Sequence, residues 1–248
     1  MKNETRFCLK HRMASLLAAI RGKQNLEVYR SLMFHSIFDS ARFQKEDLYS
    51  LEQSKFESFL QDVKTLGLKV VRFEDSDRNS HSISLTFDDG YKDNLLRALP
   101  LLEKFNFPFT IFIVTDFLSS SYPEYLSEEE IRILAKHPLV TLGTHGKTHR
   151  PLADLDFEMA KLEIKESKEV LETLVGRPVE TMSFPHGSYN EALVKCAKDL
   201  GYKKIGTSDP KPNGDGFGSL IFRQCIYSCD SKVSFGQKIR GKWDWVWS

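Results

Sequence analysis

Between Ser54 and Tyr227, short apolar runs of strand length alternate at least six times with stretches whose apolar residues recur at helical spacing. Few architectures accept that pattern. A chain that passes repeatedly from strand to amphipathic helix builds parallel strands, since each helix returns it to the starting edge of the sheet. Strands are predicted at Val28–Ile37, Leu68–Phe73, Ile83–Phe87, Phe109–Val114, Val140–Gly143, Val179–Phe184, Lys203–Thr207 and Leu220–Tyr227. Between Phe56 and Leu66, the residues Phe56, Phe59, Leu60, Val63 and Leu66 share one helical face, with Ser54 as the expected N-cap and Gly67 as the stop. Further helices are predicted over Asn94–Phe105 despite Pro100, from a Ser127/Glu130 capping box to Lys136, over Asp156–Val175 up to Gly176, and over Asn190–Leu200. No repeat or composition break divides the chain, so one α/β domain with a parallel sheet or barrel is expected over residues 26–248.

Residues 1–25 form a separate element in this reading. Leu9, Met13, Leu16, Leu17 and Ile20 recur at helical spacing and predict an amphipathic helix packed on the body through that face. The apolar run Met13–Ile20 is not read as a secretory segment, because Glu4 lies among the preceding basic residues, Arg21 follows at once and no Ala-x-Ala site is present. A cytoplasmic protein is the expectation, with a secreted or periplasmic one as the alternative. A formal charge of +1, with 41% hydrophobic and 28% charged residues and no basic cluster, gives no reason to expect nucleic acid or an anionic membrane as partner. Cys8, Cys196, Cys225 and Cys229 contain no Cys-x-x-Cys and are expected to be reduced. The loop Pro210–Gly218 is expected at a rim, and the tail Trp243-Asp-Trp-Val-Trp247 is expected to pack.

Three strand ends carry chemistry. Ser84-Leu-Thr-Phe-Asp-Asp-Gly-Tyr-Lys-Asp93 sets Asp88 and Asp89 side by side where an apolar strand stops, and Gly90 lets the backbone turn. Two like charges sharing a rim are accounted for by a cation between them or by one displaced pKa. Leu142-Gly-Thr-His-Gly-Lys-Thr-His149 delivers two imidazoles four residues apart, a spacing that can hold one metal ion. Gly146 stands where a helical zinc-protease motif needs Glu, and Gly143 and Pro151 argue against a helix there. Two histidines and one carboxylate leave open positions on a divalent ion, as a catalytic site requires. Ser183-Phe-Pro-His-Gly187 is a turn whose amide N–H groups can face a substrate oxygen.

Together, Thr86-Phe-Asp-Asp-Gly-Tyr91 with Asp93, His145-Gly-Lys-Thr-His149 and Phe184-Pro-His-Gly187 resemble, in order and interval, the first three motifs of the NodB-homology polysaccharide deacetylases. The resemblance implies a distorted (β/α) barrel with fewer than eight repeats. It also implies a metal-dependent hydrolase that removes N-acetyl or O-acetyl groups from a glycan. By motif position Asp88 is the general base, Asp89, His145 and His149 hold the metal, zinc first with cobalt or nickel as alternatives, and the His186 backbone amide meets the oxyanion. The implied partner is an acetylated sugar or polysaccharide.

The chain departs from the family pattern at several positions. Gly146 replaces the usual Ser or Thr and Ser183 replaces an arginine that orients the base, a role for which Arg223 is the candidate. His186 stands where Tyr is commonest, and no histidine follows it to serve as the general acid. Leu32-Met-Phe-His35 lies upstream instead, which resembles a permuted subgroup and makes His35 the acid. The alternatives are a formamide or cyclic-amide hydrolase on the same site and a glycan-binding protein whose site has decayed, the latter motivated by Gly146 and Ser183.

Overall fold

In a computed structural model of the chain, which describes residues 2–39, 47–76, 82–119, 121–214 and 218–244, all eight expected strand regions contain strand and every ladder is parallel. The strands are β1 (Arg30–Phe34), β2 (Ser36–Phe38), β3 (Ser50–Glu52), β4 (Lys69–Val70), β5 (Ser82–Phe87), β6 (Phe109–Ile113), β7 (Val140–Thr144), β8 (Thr181–Ser183), β9 (Lys204–Gly206), β10 (Leu220–Ile221) and β11 (Arg223–Cys225). Eight of them form a nearly closed barrel in the order β10-β9-β8-β7-β6-β5-β1-β11, with β4 added against the first residues of β5. The helices around it are α1 (Lys2–Arg21), α2 (Gln53–Thr65), α3 (Leu99–Phe105), α4 (Glu128–Leu134), α5 (Phe157–Val175), α6 (Glu191–Asp199) and α7 (Lys232–Ile239).

Two predicted strands are broken, and both breaks shape the rim. The run Val28–Ile37 divides at His35, whose carbonyl oxygen accepts from the Asn94 side chain at 2.8 Å instead of joining a ladder. β2 then leaves the barrel to pair with β3. The run Leu220–Tyr227 divides at Phe222, where the Asn213 side chain bonds both the N–H, at 2.9 Å, and the carbonyl, at 2.8 Å. β10 stays with β9 while β11 pairs with β1, so the two ends of the sheet meet at this single residue.

Helix starts follow local chemistry with one correction. Ser127 and Glu130 form the expected capping box, and Asp156 and Asn190 cap α5 and α6. Ser54 is not a cap: β3 runs directly into α2, so Ser54 lies inside its first turn and Glu52 bounds it without a side-chain bond. Asn94–Ala98 form a wider π-type turn before α3, and Pro100 falls at the helix start, where a missing N–H costs no bond.

The N-terminal helix exists, but it packs through the opposite side from the one expected. Leu9, Met13, Leu16, Leu17 and Ile20 are all exposed, Ile20 at 82%, while His11 and Ala18 are buried. A buried polar cluster determines the orientation. Asp230 accepts from His11 Nε2 at 2.7 Å, Lys238 Nζ at 2.6 Å, Ser234 Oγ at 2.8 Å and the Tyr227 N–H at 2.9 Å. Placing Leu9 inward would withdraw His11 from that carboxylate, a cost a few leucine contacts do not offset. Trp243 packs on the His11 ring at 4.7 Å and donates to Gln237 Oε1 at 3.1 Å, in line with the packing expected of the tail. The rest of that tail, residues 245–248, lies outside the described residues, as do 77–81 of the connection before β5 and 215–217 of the loop after Pro210. No described helix is long and apolar enough to cross a membrane, and the four cysteines are free.

Burial by itself would raise the pKa of Asp230, but Lys238 and His11 outweigh it and hold the carboxyl well below the usual range. A depressed carboxylate contributes stability that is present above its unfolded pKa, near 4, and is lost as the pH falls further. Asp230→Asn leaves Lys238 buried and unpaired and is expected to cost about 3–5 kcal/mol at pH 7. In urea titrations the gap from wild type should narrow below pH ~4; a gap independent of pH would contradict this account.

Candidate active site

The parallel register gathers the chemistry at one end of the barrel. Phe34 pairs with Phe87, so His35 and Asp88 emerge side by side at the carboxyl ends of β1 and β5, joined by an Asp88 N–H bond to the Phe34 carbonyl at 2.9 Å. Thr144 ends β7 beside Ile113, and the His145 N–H bonds the Ile113 carbonyl at 2.7 Å. Ligand sites in parallel α/β folds lie at this end of the strands. A pocket of about 240 Å³ opens there, bordered by His35, Asp88, Asp89, His145, His149 and His186 among others.

Asp89 takes a left-handed backbone conformation, φ 70°, followed by Gly90 at 77°. The turn separates the two carboxylates. Asp88 points inward, where Arg223 Nη1 donates to Oδ1 at 2.6 Å and Nη2 to Oδ2 at 2.8 Å. Both side chains are buried, Arg223 completely. The guanidinium also donates to the Thr207 carbonyl at 3.0 Å and to Thr86 Oγ1 at 3.2 Å, and lies over the Phe112 ring. Burial would raise the Asp88 pKa, but Arg223 and His145 bring it below the usual range. Asp88 is therefore ionised and fixed in plane.

Asp89 turns toward the two imidazoles instead. Its Oδ1 lies 3.1 Å from His149 Nε2 and 3.5 Å from His145 Nε2, and one ligand atom from each of the three residues falls within 4.8 Å of the others. That oxygen is fully buried yet makes no well-aligned hydrogen bond among the described residues. An ionised oxygen and two imidazole nitrogens converging without hydrogen-bond geometry fit a divalent cation's donor set. Burial would raise the Asp89 pKa, but His149, His35 and His145 hold it well below the usual range.

The imidazoles are oriented by residues that carry no motif. His145 Nδ1 donates to the Ser183 carbonyl at 3.0 Å and contacts Ser183 Oγ at 2.6 Å, so the ring hydrogen sits on Nδ1 and the Nε2 lone pair faces Asp88 and Asp89. Burial pushes His145 down to about 4 against the pull of both aspartates, so the ring is neutral at pH 7. Glu163, buried on α5, accepts from the Lys147 N–H at 3.0 Å, the Thr148 N–H at 2.9 Å and Thr148 Oγ1 at 2.7 Å. That clamp ties the loop after Gly146 to α5. Gly146 itself has φ 72° and faces Pro185, with only 3.1 Å for a Cβ.

His186 does more than lend its backbone. Its Nε2 donates to the His149 carbonyl at 3.1 Å and its ring lies 4.4 Å from the His149 ring. The neighbouring Gly187 and Ser188 N–H groups bond the Phe184 and Pro185 carbonyls, while the His186 N–H has no acceptor among the described residues. His35 Nδ1 is buried without a partner among the described residues, and the ring packs on Tyr49 at 4.7 Å. All seven residues singled out from the sequence thus converge, six at the pocket and Arg223 behind Asp88. Ser183 and Glu163 were missed in these roles, since neither lies at a spacing that predicts contact with the histidines.

This barrel, with paired aspartates and two histidines at its carboxyl rim, is the architecture of the polysaccharide deacetylases, and the polysaccharide deacetylase family model matches residues 75–205. The chain belongs to that family. Among relatives, Bacillus subtilis YxkH is 28% identical over 72% of this chain and 64% of its own length. The B. subtilis peptidoglycan-N-acetylmuramic acid deacetylase PdaC is 25% identical over 77% of this chain and 40% of its own. The chain therefore spans less than two thirds of the length of either. The fold is shared with Bacillus cereus BC0361, a polysaccharide deacetylase, at TM-score 0.74 and 24% identity over 86% of this chain and 69% of that one. It is shared also with Streptococcus pyogenes deacetylase PplD, at TM-score 0.75 and 21% identity over 86% and 98%.

The Arg223–Asp88 pair gives a direct test. Arg223→Met leaves a buried carboxylate unpaired and is expected to cost about 3–5 kcal/mol. In Arg223→Met with Asp88→Asn the second change should recover part of that loss, giving a coupling above about 1 kcal/mol in a urea double-mutant cycle. Additive losses would mean that the two side chains do not depend on each other.

Proposed function

We propose that the chain is a metal-dependent deacetylase that hydrolyses the N-acetyl group, or alternatively an O-acetyl group, of an amino-sugar-containing glycan or its precursor. The observation that carries this reading is the convergence of the Asp89, His145 and His149 donor atoms in the same pocket as an ionised Asp88 and the His35 ring. The peptidoglycan-N-acetylmuramic acid deacetylase activity named for one relative supports a sugar N-acetyl group as the target class. Asp89, His145 and His149 would hold a divalent ion, with zinc the first choice for two imidazoles and a carboxylate and cobalt or nickel next. Such an ion supplies Lewis-acid polarisation of the acyl carbonyl and lowers the pKa of water.

The chain's own groups manage the protons. Asp88 accepts the proton of the attacking water on Oδ2, the oxygen facing His145 Nε2 at 3.7 Å, while Arg223 keeps the carboxylate in plane and ionised. The His186 N–H meets the negative charge that develops on the acyl oxygen, an interaction whose loss typically costs about a hundredfold or more. His35, on the border of the pocket, hands a proton from its imidazole to the departing nitrogen. Its position beside Asp88 comes from β1 lying between β5 and β11, which supports the permuted arrangement in which the acid precedes the aspartate motif. Gly146 and Ser183, the departures that suggested a decayed site, each have a structural role around His145.

Asp89→Asn should abolish metal retention, read by elemental analysis of purified protein. Asp88→Asn should retain the metal while kcat for acetate release from N-acetylhexosamine oligomers falls by about a hundredfold or more. Stoichiometric metal in a wild type inactive on every acetylated oligomer, lipid-linked sugar and nucleotide sugar tried would refute the assignment.

A further inference from the structure

Beside the catalytic pocket lies a second concavity of different character. It is a groove of about 520 Å³ between α1, α7 and the carboxyl rim of the barrel, and it shares Ser208 and Tyr227 with the catalytic pocket. Phe7, Ala14, Pro210, Tyr227 and Trp243 give it aromatic and aliphatic walls, in contrast to the carboxylates and imidazoles next door. Three of the polar side chains in its wall, Lys238, His11 and Trp243, are already engaged, which leaves Lys10, Ser208 and Gln224 as the polar groups at its surface. Lys238 Nζ is held by Asp230 and the Cys225 carbonyl and lies over the Tyr227 and Trp243 rings. His11 Nε2 is bonded to Asp230, and Trp243 Nε1 to Gln237. Lys10 is exposed, so its ammonium reaches water.

A sugar unit entering this groove would lose water from its hydroxyls and find few free partners, whereas an apolar group would lose nothing. The wall shared at Ser208 and Tyr227 sets an occupant of the groove directly beside the substrate. We propose that the groove takes an apolar chain covalently attached to the acylated sugar, so that the substrate is an amphiphile of glycolipid type whose sugar occupies the catalytic pocket. This assignment rests on the deacetylase reading for the sugar end and on the groove alone for the apolar end.

Calorimetric titration of the full chain with butyl and octyl β-glycosides of N-acetylglucosamine, below their micellar concentrations, tests the groove without requiring turnover. A buried methylene is worth about threefold to fourfold in affinity, so octyl should bind at least about tenfold more tightly than butyl. Ala14→Trp, which fills the groove from α1, should bring that ratio below about twofold and leave butyl binding unchanged. Phe7→Ser, which removes an apolar wall without adding bulk, serves the same purpose if the indole disturbs α1, with helix content checked by circular dichroism. A wild-type ratio near one, or a ratio retained in folded variants, overturns the proposal. Acetate release from both glycosides is measured in parallel. Chain-length-dependent binding without any release supports the groove and counts against deacetylation, whereas release with no chain-length dependence in Kd or KM supports deacetylation and removes the groove.

Discussion

Arg223 and Asp88 are paired at the floor of the catalytic pocket, the guanidinium completely buried, and much of the barrel is arranged to keep both charges satisfied. An unpaired guanidinium there would cost several kcal/mol, so its remaining donors are taken by Thr207 and Thr86 and its face by the Phe112 ring. Gly206 has no side chain for the same reason: a Cβ would sit 2.7 Å from Arg223 Nε. The pair spans from β11 to β5 across β1 and so links the strand that closes the barrel to the carboxylate at the centre of the pocket. Closing the barrel and holding Asp88 in plane are one structural event.

The site residues with motif spacing were legible in the sequence because local chemistry states their positions. A strand that stops at Asp-Asp-Gly, and a strand that stops at two histidines four apart, place side chains at a rim whatever the rest of the chain does. Arg223 could be proposed only by asking what replaces a missing arginine, and His35 only by asking what replaces a missing histidine. Ser183 and Glu163 were not legible as supports. Their partners are 38 and 15 residues away, and the contacts depend on how β8 and α5 lie against β7. Sequence spacing carries no information on that placement.

The fold was legible wherever apolar periodicity and packing agree. They disagree at α1, whose richest apolar stripe faces outward because one buried carboxylate, Asp230, needs His11 facing inward. A hydrophobicity pattern ranks faces by transfer free energy alone and is blind to a single charged partner on another helix. The breaks at His35 and Phe222 escaped for a related reason: both residues lie within runs of strand formers, and asparagine side chains from outside those runs take their backbone groups out of the ladder.

Asp89, His149 and His186 all hold a backbone conformation in which a Cβ is crowded and a glycine would be at ease. Each such residue costs on the order of 1–2 kcal/mol, so the ground state of the pocket stores a sum comparable to a sizeable part of a domain's net stability. Glycine at any of the three would relax the chain and at once remove a ring or carboxylate from the pocket. Mutational drift in a lineage that no longer used the site would therefore run downhill toward glycine at these positions. The side chains now there hold the strain and, with it, a ring or carboxylate aimed at the pocket.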